Sequence, residues 1–375
     1  MGDTKRRVGG LIRAEVGRRE WVDFAKGAAI ILIVAYHTTL FLNSIDMASA
    51  GTGRLKFVLE LFPMPAFFLI SGLFQSRVGS WSFADLWRRR LRQYLYLYVL
   101  WSVIRFLFYA VAPNVRSDGA GGAASDPLAL LLILVWPISS YWFIYALFLF
   151  TVVVWLFRKA PPWVLLALAG VLSVLSSSGL LDARNVGINR MTEYLLFFVI
   201  GAYFHRRIYD TVEKVRPRSA IAIVLGFIAI SAVIVIVPAV IRIPGVALVG
   251  QVAAVSAGFA LAFYLVRLRP LSWINYIGVR TLNIYLVHIY VIALLVAPLA
   301  LFPQLDAILP GRGLILITLL TTAVILLSIV ITRYLTRISW LFVYPFRSRT
   351  KPAVPADGAR PTRTPAEQVG DDPRG

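Results

Sequence analysis

Residues 21–43 read WVDFAKGAAIILIVAYHTTLFLN. A run of this length and apolarity matches the roughly 20 residues that an α-helix needs to cross the hydrocarbon of a bilayer. It nevertheless carries Asp23, Lys26 and His37. Ionisable groups are costly in lipid and persist where they pair, snorkel or serve a function, so the stretch is both a span and a candidate site. On a straight helix the step from Lys26 to His37 leaves the two side chains within about 20° in rotation and about 16.5 Å apart along the axis. Both face the same way. Asp23, three residues before Lys26, can pair with it and lower the cost of an ammonium at the membrane boundary. His37 has no such counter-ion nearby in its own helix.

The rest of the chain has the same character. Its 375 residues are 59% hydrophobic and 15% charged, with a mean hydropathy of +0.77, whereas soluble domains run near a quarter charged. Apolar runs bounded by charge, Pro or Gly fall at 21–43, 55–76, 93–113, 139–157, 162–180, 190–205, 219–241, 246–266, 273–299 and 314–336. The prediction is an all-α polytopic membrane protein of about ten transmembrane helices over residues 21–345. A basic segment precedes it at 1–20, and a tail at 346–375 is too rich in Pro, Gly and charge to pack. The N-terminus lacks the short apolar core of a removable signal peptide, so the first span is expected to stay. Residues 127–137, DPLALLLILVW and then Pro137, are too short to cross and are expected at the interface.

The net charge of +20 would point to nucleic acid in a soluble protein. Here most Lys and Arg fall with the termini and the even-numbered connections, which by the positive-inside rule puts both termini in the cytoplasm. Topology and anionic lipid headgroups thus account for the charge, and no nucleic-acid partner is expected. With no cysteine there are no disulfides and no thiolate metal sites, and no metal centre is expected. Residues 82–92, SFADLWRRRLR, alternate apolar and basic groups as a short helix lying on the inner surface would.

A basic residue, ten intervening positions and then His in the first span resembles the opening signature of the acyltransferase-three family of polytopic membrane proteins. Three further stretches agree in order: PMPAFFLISGLF in the second span, YWFIYALFLF in the fourth, and IGVRTLNIYLVH, ending at His288, in the ninth. The resemblance implies a ten-span helical body and transfer of an acyl group, commonly acetyl from acetyl-coenzyme A, to a hydroxyl of a surface or secreted glycan. It implies His37 as the catalytic histidine and Lys26 as its basic partner. Arg89 and Arg92 match the family's Arg-x-x-Arg motif near the third span. One departure is Pro63, where many relatives carry a histidine before the Met-Pro of the second span. Pro63 and Pro65 are expected to break that helix locally.

The chemistry suits these residue types. A neutral imidazole with a pKa near about 6.5 can remove the proton of a sugar hydroxyl as it attacks a thioester. Lys26, Arg89 and Arg92 can attract the phosphates of an acyl-coenzyme A donor, a substrate rather than a resident cofactor. The expected partners are this donor, a glycan or glycolipid acceptor and membrane lipid, in the bacterial cytoplasmic (inner) membrane. The oligomeric state is not readable.

Plainer readings stand beside each assignment. His37 can be an interior histidine bonding a backbone carbonyl, Lys26 can snorkel to the headgroups, and the arginine cluster can be a topology anchor. His288, with Arg280, Asn283 and Tyr285, can line a cavity or tie helices together. Glu60, near the outer boundary with Arg190 and Glu193, is a candidate to orient a sugar. Trp142, with Tyr141 and Tyr145, can stack on a sugar ring or form part of an interfacial aromatic belt. His205 reads as a loop residue. A rival function is a proton- or anion-coupled transporter or glycolipid flippase using His37, Lys26 and Arg280. No repeated pair of broken spans favours it.

Overall fold

The computed structural model describes residues 19–45, 47, 59–112, 125–137, 140–301 and 313–345. The expected segment 1–20, apart from its last two residues, and the expected tail 346–375 lie outside them. Among the described residues the chain is helical throughout, with no strand. Seven helices are long and apolar enough to cross a membrane: Glu20–Asn43, Phe83–Val111, Trp142–Lys159, Pro217–Ile236, Val246–Leu265, Thr281–Leu299 and Gly313–Leu335. Two shorter apolar helices are Leu59–Leu73 and Pro162–Ser177. A further helix, Val186–Glu213, carries several charges. Each of the ten apolar runs of the sequence overlaps at least one of these helices.

Helix α1 (Glu20–Asn43) packs against α2 (Pro63–Leu73), α9 (Val246–Leu265), α10 (Ser272–Val279), α11 (Thr281–Val296) and α12 (Gly313–Leu335). Between α2 and α9 run α3 (Phe83–Val111), α4 (Pro127–Leu131), α5 (Trp142–Leu156), α6 (Pro162–Ser177), α7 (Val186–Glu213) and α8 (Pro217–Ile236). The central place of α1 follows from its small residues. Ala25 and Ala29 are fully buried, and Gly27 lets the backbone of α10 touch it: a Cβ there would stand 2.1 Å from the carbonyl oxygen of Ile274. The contact is reciprocal, because a Cβ on Gly278 would stand 1.8 Å from the carbonyl oxygen of Asp23. Close backbone approach through small residues is how helices associate where lipid removes the hydrophobic drive. By contrast α8 exposes Ile221, Leu225, Ile228, Val233 and Ile236, an apolar surface suited to lipid.

The structure departs from the sequence reading in four places. The segment expected as a short surface helix runs on without a break into the third span: residues 83–111 form one helix through a π-helical turn at Trp87–Leu91. Neither Gly nor Pro interrupts this stretch, and the π-helical turn is its one irregularity. The ninth segment is instead broken: Arg280, at φ −108° and ψ 12°, separates α10 from α11. His205 lies inside α7, not in a loop. Trp142 packs inward on Phe68 and Tyr194 rather than in an interfacial belt. The expected break at Pro63 is present, since Phe62 leaves the helical ladder and Pro63 opens α2 at a position where its missing N–H costs nothing.

Candidate active site

The most informative contact joins two histidines that are 251 residues apart in sequence. His288 Nε2 lies 3.3 Å from His37 Nδ1, with ring centroids 5.1 Å apart. His288 is fully enclosed, whereas His37 keeps partial exposure. His288 Nδ1 is 2.7 Å from the carbonyl oxygen of Tyr285 and donates to it. Its Nε2 therefore presents a lone pair to His37. His37 Nδ1 meets that lone pair and also the carbonyl oxygen of Ile33 at 3.1 Å. Two acceptors around one nitrogen assign the proton of neutral His37 to Nδ1, which leaves the basic lone pair on Nε2.

The ring of His288 is held by its own helix, and that helix is pinned. Tyr285 donates its hydroxyl to the carbonyl oxygen of Ser140 at 2.9 Å, and Tyr141 donates to that of Leu286 at 2.8 Å. This crossed pair ties the middle of α11 to the start of α5. Tyr285, read with His288 as able to tie helices together, does so, and with Tyr141 it sets the height and rotation of His288. Tyr145 donates to the carbonyl oxygen of Leu134 at 2.6 Å and anchors the turn that follows α4.

On the other flank of His37 sits a charged cluster. The ring of Tyr36 stands edge-on to that of His37 at 5.4 Å, and Tyr36 also lies near the charges of Glu60 and Arg190. Arg190 reaches Glu60 at 3.2 Å, and Glu193 and the Tyr194 hydroxyl at 3.1 Å each. Gln251 on α9 donates its amide to Glu193 at 2.5 Å. Glu193 is buried, as a carboxylate in a helix bundle can be only when ionised partners and hydrogen bonds surround it. Trp142 stacks on Tyr194 with centroids 6.4 Å apart, so the aromatic group and the carboxylates share one neighbourhood.

Toward the start of α1, Lys26 Nζ lies 2.7 Å from Asp23 Oδ1, the pair anticipated from their spacing. The side chain of Lys26 keeps 21% of its surface exposed, so its charge is shared with an accessible space. Arg89 is exposed and lies 5.4 Å from the Trp81 ring, while Arg92, half-buried, lies 5.1 Å from that of Tyr344. Arg280 turns back on α10, bonding the carbonyl oxygen of Tyr276 at 3.1 Å and lying over its ring at 3.6 Å. It therefore caps the helix break at the end of α10. Among the described residues no group of three or more His, Asp or Glu could hold a metal ion.

Several participants are not evident from one sequence. Gln251 is a lone amide in an apolar run, and Tyr36 reads as one aromatic among many. Arg105, a charge inside the third span, is buried in α3 with its guanidinium 5.2 Å from the Tyr109 ring. A charge in mid-span is itself the signal that could have singled it out.

The model of an acyltransferase domain, that of the acyltransferase-three family, matches residues 19–333. No curated protein and no solved structure is matched by the chain. The matched region runs from the first turn of α1 into α12 and so takes in both histidines, the charged cluster and the Lys26 pair. The chain belongs to the acyltransferase-three family and is a multi-pass membrane acyltransferase.

Proposed function

We propose that this protein is an O-acyltransferase of the bacterial cytoplasmic membrane that moves an acyl group, acetyl in the first instance, from acyl-coenzyme A to a hydroxyl of a glycan or glycolipid headgroup. The observation that carries this reading is the placement of His37. It is partly exposed, its Nδ1 is engaged by two acceptors, and its Nε2 carries the lone pair. In the reaction His37 Nε2 takes the hydroxyl proton as the oxygen attacks the thioester carbonyl. The tetrahedral intermediate collapses, the carbon–sulfur bond breaks, and the departing thiolate takes that proton from the imidazolium. General-base assistance of this kind contributes on the order of 10² to 10⁴ in rate. His288 is the positioning residue: its lone pair faces Nδ1–H and stabilises the imidazolium while it lasts.

Ten membrane spans with both termini in the cytoplasm accord with ten apolar runs, each of which has a helix. Residues 1–20 and 346–375 would then flank a catalytic body at 21–345. In this orientation Lys26, Arg89 and Arg92 stand on the cytoplasmic side, where the phosphates of the donor would be met by charge. His37, about three helical turns farther along α1, stands toward the outside with Glu60 and Trp142, which we assign to the acceptor. Donor and acceptor enter from opposite sides and meet at the imidazole. Arg280 is assigned to the helix break, not to a substrate.

The test supplies labelled acetyl-coenzyme A to membranes containing the wild type or His37→Ala, followed by isolation of the glycan. Label is expected to appear on glycan hydroxyls with the wild type and to fall by at least about a hundredfold with the variant. Label that depends on the protein but is indifferent to His37 would remove the base. Movement of a glycolipid without covalent change would favour a flippase.

A further inference from the structure

Beyond α12 the chain turns back onto α3. A single 3₁₀ turn at Ser339–Leu341 leads into residues 342–344, and side chains of α3 hold this strap by its backbone. The Trp101 indole donates to the carbonyl oxygen of Leu341, and the Tyr96 hydroxyl to that of Trp340, both at 2.8 Å. Gln93 clasps the strap twice: its amide nitrogen donates to the carbonyl oxygen of Phe342 and its amide oxygen accepts from the N–H of Tyr344, both at 2.9 Å. An amide matched at both ends fixes the backbone of Tyr344 in register with Gln93. The Tyr344 ring meets that of Tyr96 edge-on, with centroids 5.4 Å apart and planes at 88°, so its rotation is set as well. Over the Tyr344 ring lies Arg92, the residue before Gln93, with its guanidinium carbon 5.1 Å from the centroid. That is within the reach of roughly 6 Å at which a cation is drawn to an aromatic face.

We propose that Tyr344 is a positioning residue for the donor: its ring, held by Gln93 and Tyr96, fixes the guanidinium of Arg92 where it meets a phosphate of acyl-coenzyme A. This inference rests on the assignment of Arg92 to the donor in the reading above. The kind of partner matters. Arg88, one turn earlier, pairs with Asp85 at 2.9 Å, whereas among the described residues no carboxylate pairs with Arg92. A carboxylate would fill the fork of N–H donors that a phosphate needs, while an aromatic face steadies the cation and leaves the fork open. A long side chain held in place before the ligand arrives loses less freedom on binding, so fixing Arg92 raises affinity without a new contact to the ligand. Residues 338–345, ISWLFVYP, carry no charge, so what the strap adds to the recognition of phosphate passes through Arg92.

The experiment titrates coenzyme A into the purified full-length protein in detergent and reads Kd by calorimetry. Tyr344→Leu is expected to weaken binding by about five- to tenfold, and Tyr344→Phe, which keeps the ring, to stay within about twofold of the wild type. In the Arg92→Gln background Tyr344→Leu should cost less than about twofold further, because the ring has no cation left to place. Gln93→Ala, which releases the backbone of the strap and leaves both partners present, should weaken binding by about threefold and carries the test if Tyr344→Leu does not fold. Full affinity in Tyr344→Leu or Gln93→Ala, with Arg92→Gln weakened, overturns the inference and leaves Arg92 a donor residue. Losses that multiply in the combined variant also overturn it, since Tyr344 would then act without Arg92. Full affinity in Arg92→Gln, or no binding by the wild type, removes the donor assignment and this inference with it.

Discussion

The two ends of α1 hold two ionisable pairs built on different principles. Near its start, Asp23 and Lys26 pair at 2.7 Å across three residues of one helix. Near its far end, His37 meets His288 at 3.3 Å across 251 residues of chain. The first pair follows from helical periodicity alone and would form in any straight helix carrying these residues. The second exists only because α11 is held at one height and rotation by the hydroxyls of Tyr141 and Tyr285. A local pair suits a charge that attracts a substrate, since a long flexible side chain tolerates small errors of position. A base acting on a hydroxyl needs its lone pair within hydrogen-bond reach, and errors near 1 Å are expensive there.

The comparison can be broken at the contact that joins its two halves. Gly278→Val places a side chain where a Cβ already stands 1.8 Å from the carbonyl oxygen of Asp23. It should separate α10 from α1, and the expected outcome is near-complete loss of folded protein, read by fluorescence-detected size exclusion. Gly170, whose Cβ would meet nothing within 4 Å, is the matched control and should tolerate Ala with full yield. A smaller effect sharpens the distinction. Lys26→Gln should raise the KM for acetyl-coenzyme A by about tenfold while kcat changes by less than about threefold, and Lys26→Arg should recover most of the loss. A fall in kcat at unchanged KM would place Lys26 with the chemistry and erase the difference between the ends.

How far the sequence can be read follows the same division. The helices are legible because apolar runs bounded by Pro, Gly and charge report burial in lipid locally. The Asp23–Lys26 pair is legible from its spacing. The partner of His37 is not, because a single sequence records no distances between helices: one motif stretch ends at His288 without saying what it touches. The Glu60–Arg190–Glu193 cluster is half legible. Arg190 and Glu193 stand at helical spacing, while Glu60 and Gln251 join them only through the packing of α7 between the turn before α2 and α9. The break at Arg280 escaped because no proline marks it and apolar sequence continues on both sides. Gly278 stands two residues earlier, yet a glycine in an apolar run reads as easily as a packing residue as it does a hinge.

The partnership at the far end of α1 is tested most directly by a double-substitution cycle on label transfer from acetyl-coenzyme A, comparing His37→Ala, His288→Ala and the two combined. If His288 acts through His37, its substitution alone should cost about ten- to a hundredfold in kcat. In the His37→Ala background the same substitution should then cost almost nothing. Losses that multiply in the combined variant would mean that the two imidazoles work independently, and would contradict the account.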